Sequence, residues 1–144
     1  MEFNPPLNGS KALNQRWKSN NHSKLVELRK KLLNIGGDEM VPMEEIHLDL
    51  LLDKGHIINY SSYRVVEDVP NKCHQNSAYM YQENENVTHI GTGWGLSSDG
   101  LWRQHSWGMI DDELIETTVG RDIYYGVLLN GQEAEEYIKS IKMY

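Results

Sequence analysis

Cysteine occurs once in the 144 residues, as Cys73. A lone thiol makes no intramolecular disulfide and cannot by itself build the usual multi-thiolate zinc site. Basic residues are also scarce: 14 Lys and Arg stand against 21 Asp and Glu, for a net charge of −7. They form no stripe beyond Arg29-Lys30-Lys31. A phosphate-backbone binder needs a positive footprint, so no nucleic-acid partner is expected. No apolar run approaches the ~20 residues that span a bilayer, and Met1 to Pro6 has neither the basic start nor the apolar centre of a secretion signal. These absences predict a cytoplasmic protein with no membrane partner.

What is present is enough for one folded domain. The 39% hydrophobic residues are clustered in short runs, and a chain of this length buries about two thirds of its unfolded surface. Residues 1–20, with Pro5-Pro6, Asn8-Gly9-Ser10 and Ser19-Asn20, carry turn and linker chemistry and predict a flexible arm, pinned by Trp17. Residues 21–144 form the single domain. Leu25, Leu28 and Leu32 recur at helical spacing from Ser23 to Leu33 before Gly36-Gly37. Pro42 with Glu44-Glu45 predicts a second helix start, carried to Gly55 by Leu48, Leu51 and Leu52. His56 to Tyr60 and Tyr63 to Val66 are short extended segments whose pairing stays open. Cys73 to about Glu83 reads as a helix after the Val69-Pro70 loop. Strands follow at Val87 to Leu96, Leu101 to Ile110, Leu114 to Val119 and Ile123 to Leu129, with turns at Ser98-Asp99-Gly100 and Asp111-Asp112. A helix from Gln132 to Lys142 closes the chain. Segregated helices and an antiparallel sheet make the fold class α+β.

Cys73 opens its helix, where unpaired N–H groups and the positive end of the dipole stabilise a thiolate. A two-residue turn at Asp111-Asp112 sets His105 opposite about position 118, with Glu116 one diagonal step away and on the same face. An imidazole in reach of a thiol takes its proton and returns it to a leaving group, and an acid on the imidazole's other nitrogen sets its tautomer. Two rival readings use the same residues. A free cysteine is often a buried small hydrophobe. A zinc reading would gather Cys73, His89, His105 and Glu116, but no short pairing such as His-Glu-x-x-His accompanies them. We therefore expect no metal and no cofactor.

The string from Asn71 to Thr118, with Gly93-Trp94-Gly95, His105-Ser106-Trp107 and Ile115-Glu116-Thr117-Thr118, resembles the core of the transglutaminase-like and papain-like cysteine hydrolases. In that core a helix-opening Cys is followed by a strand His and by an acid or amide on the next strand. The resemblance covers about a third of the chain. It implies a papain-like or transglutaminase-like core with a Cys73, His105, Glu116 triad. Glu116 stands where transglutaminases usually have Asp, and Glu67 and Lys72 occupy the region where a Trp or Gln often precedes the nucleophile. The second oxyanion donor is therefore sought in Asn71, Gln75 or Tyr63, the last by a looser similarity to NlpC-type peptidases, which place a Tyr ahead of their Cys.

Further candidates follow from strand parity. Trp107 and Arg103 share a face with His105, so Trp107 is expected as a wall of the site and Arg103 as a contact for a ligand's carboxylate or phosphate; Trp94 is added as an aromatic wall, while Trp102 is assigned to packing. Arg121, Tyr124 and Tyr125 pose the same choice between surface and site. His74, adjacent to the nucleophile, points about 100° away and is expected at the surface or facing substrate. The expected function is thiol-dependent acyl transfer on a peptide, protein or small amide: a thiol protease or amidase, a deamidase or a transglutaminase, which the sequence does not separate. The alternative is a non-catalytic binding or inhibitor protein using the same cleft. Oligomeric state is left open.

Overall fold

The computed structural model describes residues 13, 15–17 and 22–141. Most of the expected N-terminal arm, and Lys142, lie outside the described residues. Within it, Leu13 and Trp17 are buried, and the Trp17 indole donates to the Met40 carbonyl at 2.5 Å while Arg29 sits 5.5 Å over its ring. The anchoring role expected of Trp17 is thus present.

Helix α1 (Ser23–Ile35) buries Leu25, Val26, Leu28 and Leu32 and ends where the Gly36 N–H bonds the Leu32 carbonyl. Each fully buried leucine contributes about 1.5–3 kcal/mol to holding that face on the sheet. Strand β1 (Glu39–Met40) follows, then α2 (Leu48–Lys54), β2 (His56–Ile57), β3 (Ser62–Val65), α3 (Cys73–Glu83), β4 (His89–Leu96), β5 (Leu101–Ile110), β6 (Glu113–Glu116), β7 (Ile123–Leu129) and α4 (Gly131–Ile141). The fold is α+β, as expected. Among the described residues seven strands form one sheet in the order β2-β7-β4-β5-β6-β3, with β1 added at the start of β5.

The structure corrects the expected antiparallel sheet and the expected helix start, and it decides one pairing that the sequence left open. The sheet is mixed: β1 pairs parallel to β5 and β3 parallel to β6. Residues 56–57 and 62–65, adjacent in sequence, lie on opposite edges of the sheet, because β2 joins β7 while β3 joins β6. Pro42 to Ile46 is not helical, and α2 begins only at Leu48. The acid expected to favour a helix start, Glu45, instead accepts from Trp94 Nε1, Gln104 Nε2 and the His47 N–H. Tertiary hydrogen bonds to a carboxylate outweigh a helix-dipole preference of about 0.3–1 kcal/mol.

The register between β5 and β6 is the one the two-residue turn predicts, with Gly108 opposite Ile115 and Ile110 opposite Glu113. β6 stops at Glu116 instead of running to Val119, because the Glu116 carboxylate takes both the N–H and the hydroxyl of Thr118 and bends the chain. The larger core cluster fills the α1 and α2 side of the sheet and includes Trp94 and Trp102; a smaller one gathers Ile58, Trp107, Met109, Leu114 and Tyr124.

Candidate functional site

Cys73 is the first residue of α3, and the first intrahelical bond behind it is made by the Asn76 N–H to the Lys72 carbonyl. The N–H groups of Cys73, His74 and Gln75 precede that bond, so they are the orphan donors of the helix start. Asn71 has a left-handed φ of 60°, which asparagine tolerates, and Asn76 Nδ2 donates back to the Val69 carbonyl at 2.8 Å. These two features turn the loop so that the helix begins at the cysteine.

His105 sits in the middle of β5, fully buried, and its Nε2 lies 2.8 and 3.0 Å from the two oxygens of Glu116, which is equally buried. Glu116 is held by more than the histidine. Tyr124 donates its hydroxyl at 2.5 Å, and Thr118 donates its N–H at 3.0 Å and its hydroxyl at 3.1 Å. The same imidazole is electrostatically coupled to the Cys73 thiol, and with Nε2 turned to Glu116 the nitrogen left to serve it is Nδ1.

The electrostatics of the three groups agree with one another. Burial by itself would raise the Cys73 thiol, but the hydrogen bonding and charge of His105, the Ser106 N–H and the Arg121 guanidinium outweigh it and the pKa is lowered. Burial would lower His105, yet Cys73 and Glu116 together raise it. Glu116, which burial would raise, is lowered by His105, Tyr124 and Thr118. All three directions favour a thiolate, an imidazolium and a carboxylate in line.

The site opens on a cleft of about 690 Å³ whose lining includes Cys73, His74, Asn71, Arg103 and Arg121 together with the acids Glu67 and Asp68. A cleft of this size accommodates a small ligand or one stretch of peptide. On β4, Gly91 and Gly95 share the face of His105, and neighbouring side chains fill the room they leave. A Cβ at Gly91 would stand 2.1 Å from the Trp107 indole, and one at Gly95 would stand 2.6 Å from Arg121 Cγ. The alternation Gly91-Thr92-Gly93-Trp94-Gly95 therefore makes room on the His105 face for the Trp107 ring and the Arg121 stem while Thr92 and Trp94 point to the other side.

Parity explains which expected site residues reach the cleft. Asn71 and Arg103 line it, Arg103 while paired with Asp99 at 2.9 and 3.1 Å. Trp94 does not: β4 places Gly93, not Trp94, opposite His105, so its ring enters the core on the far face. Trp107 has the right parity but is sealed under Tyr124 and Leu114, stacked on His105 at 6.1 Å between ring centroids. It backs the histidine instead of lining the cleft. Tyr63 stands on the Glu116 side, its hydroxyl against Gly120 and Tyr124, away from the cleft lining. Gln75 also lies off the lining. Trp102 packs as expected, donating to the Gly36 carbonyl, and Tyr125 likewise packs, donating to the Leu51 carbonyl.

His74, expected at the surface or facing substrate, lines the cleft and is also tied into the fold. It is half-buried, with Nδ1 2.6 Å from Ser106 Oγ and 3.1 Å from the Tyr137 hydroxyl, and Ser106 in turn donates to Thr92 at 3.0 Å. Burial, with the charge of His105 behind it, pushes its pKa down to about 4. Sequence reasoning missed this network because its members come from α3, β4, β5 and α4. It also missed Thr118, although Glu-x-Thr at a strand end is a local signal for a side chain folding back on its own backbone.

Among the described residues no group of three His, Cys, Asp or Glu side chains is placed to hold a metal ion, and no helix is long and apolar enough to cross a membrane. His89 lies at the other end of β4, bonded to Thr88 and Asn130. Comparison of the chain with protein-family models, curated proteins and solved structures returns no match.

Proposed function

We propose that the protein is a thiol-dependent acyl-transfer enzyme with a papain-like or transglutaminase-like core, in which Cys73 is the nucleophile, His105 the general base and acid, and Glu116 the group that orients and charges the imidazole. The observation that carries this reading is the hydrogen-bonded His105–Glu116 pair, buried behind a thiol whose pKa is lowered and which faces an open cleft. A structural cysteine has no use for a buried carboxylate aimed at its histidine neighbour, and burial alone would hold its thiol high.

The chemistry follows from the atoms. The Cys73 thiolate attacks an amide or ester carbonyl, and the backbone N–H at the α3 start meets the developing oxyanion. The sulfur–carbon bond forms, His105 Nδ1 gives its proton to the departing amine or alcohol, and the acyl group remains on sulfur. Water or an amine then attacks the thioester, yields its proton to His105 and restores the thiolate. Glu116, filled by four donors, keeps its charge throughout.

The test is the pH profile of alkylation by iodoacetamide. A free thiol near pKa 8.5 is about 0.3% thiolate at pH 6. Cys73 is expected to react on the order of 100-fold faster than free cysteine there, with His105→Ala falling to the free-thiol rate. A slow reaction that His105→Ala leaves unchanged would favour a binding protein instead.

A further inference from the structure

The loop after β6 brings a further charge to the thiol. Arg121 lines the cleft beside Cys73, and its Nη2 stands 3.4 Å from His105 Nδ1. Its Nη1 donates to the Val119 carbonyl, while Nε is buried and meets no acceptor among the described residues. The stem packs over Gly95, and the backbone N–H donates to the Tyr124 hydroxyl at 3.2 Å, so the elements that hold the triad also hold this residue.

The placement is chemically mismatched to the charged state of the site. A guanidinium has donors only and keeps its charge, so it suits the lone pair of a neutral Nδ1. That is the atom that takes the Cys73 proton. Once Nδ1 is protonated, two N–H donors oppose each other and the guanidinium needs another acceptor. Among the described residues Arg121 forms no ion pair with a carboxylate, and Glu116 is already occupied. A ligand anion at this position would supply the acceptor and draw the guanidinium away from the base.

We propose that Arg121 binds a carboxylate of the acyl donor, carried beside the scissile bond on its leaving-group side, as in an N-acyl amino acid. The inference rests on the acyl-transfer reading and adds the substrate class to it. His105 Nδ1 delivers its proton to the leaving nitrogen, and the group 3.4 Å from Nδ1 therefore reads what that nitrogen bears. In the step itself the sulfur–carbon bond forms, the carbon–nitrogen bond breaks, the nitrogen takes the Nδ1 proton, and a free amino acid leaves with its carboxylate on Arg121. Water then hydrolyses the thioester to the carboxylic acid and the thiolate.

Iodoacetate and iodoacetamide test this without knowledge of the acyl group, since both alkylate a thiolate with loss of iodide and differ only in carrying a carboxylate or its neutral amide. At pH 6 and low ionic strength, the ratio of iodoacetate to iodoacetamide rates at Cys73 is expected to exceed that of free cysteine by about 10-fold and to shrink as salt is added. Arg121→Gln should bring the ratio to within about 2-fold of free cysteine. Gly95→Ala, which displaces the stem and keeps the charge, should lower it too, and a thermal melt of each variant reports whether it is folded. A wild-type ratio equal to that of free cysteine, or one unchanged in both variants, overturns the inference while fast iodoacetamide labelling leaves acyl transfer standing. Slow labelling by both reagents overturns the acyl-transfer reading and the inference together.

Discussion

Two histidines flank the start of α3 on opposite faces of β5, and they end in opposite states. On one face His105 meets Cys73 and Glu116 and is raised; on the other His74 meets Ser106, Tyr137 and, through Ser106, Thr92, and is lowered to about 4. The residues are neighbours in sequence, 73 beside 74 and 105 beside 106, and both sites are largely withdrawn from water. Burial disfavours the imidazolium in both. The difference lies in the partners, since a carboxylate and an ionisable thiol repay the desolvation of a cation and hydroxyls do not. The Cys73 face is built to hold separated charge, whereas the Ser106 face is a neutral clamp tying α3 and α4 to the sheet.

The largest expected effect would test the charged face directly. Cys73→Ala should abolish turnover and all alkylation, while chemical denaturation shows a stability change within about 1 kcal/mol, because no core volume is lost. Glu116→Gln comes next, keeping shape and removing charge. It should lower His105 and raise the thiol, reducing iodoacetamide reactivity at pH 6 by about 10-fold or more, as read from the shifted rate profile. If Glu116→Gln reacted like the wild type, the charged face would be no more than a second clamp.

Ser106→Ala should reverse the pattern. The loss of a buried hydroxyl that bonds His74, Thr92 and Tyr137 is expected to cost about 1–3 kcal/mol in denaturant titrations and to leave the alkylation rate within about 2-fold. A comparable loss of reactivity would mean that the two faces act as one network.

The pH dependence separates the faces by sign. His74 is neutral in the folded protein down to about 4 but titrates near 6.5 when unfolded. Its contribution is complete above pH 6.5 and is lost as pH falls towards 4, on the order of 2 kcal/mol for a half-buried group. His105 is raised, so its contribution is complete below 6.5 and is lost as pH rises through its folded value. Imidazole titrations followed by NMR should show one ring holding its proton above pH 6.5 and another refusing one until about pH 4. The smallest change is Tyr124→Phe, which removes one of the four donors to Glu116. It should cost about 1–2 kcal/mol and raise Glu116 by a small amount, visible in the acid limb of the rate profile.

Much of this was legible in the residues. The Cys73 helix start, the 101–110 strand, the turn at Asp111-Asp112 and hence the facing of His105 and Glu116 depend on contacts a few residues apart, which local pattern encodes. The role of Trp107 was read only halfway, since parity puts it on the face of His105 and cannot say that Tyr124 and Leu114 seal it. Trp94 misled because parity puts its flanking glycines, and not the indole, on the face of His105. The position of β3 was not readable at all: Tyr63 sits beside Leu114, 51 residues away, in a parallel pairing that no turn dictates.

By itself the sequence determined the place of Cys73 at a helix start, the hairpin that carries the histidine and the acid opposite it, because period and turn chemistry act over short separations. Only the tertiary structure decided which imidazole would be charged, what backs it and what reaches the thiol. Those outcomes depend on burial and on partners from distant elements, Tyr124 on Glu116, Tyr137 on His74 and Arg121 across Gly95. An imidazole has no role until its neighbours set its proton.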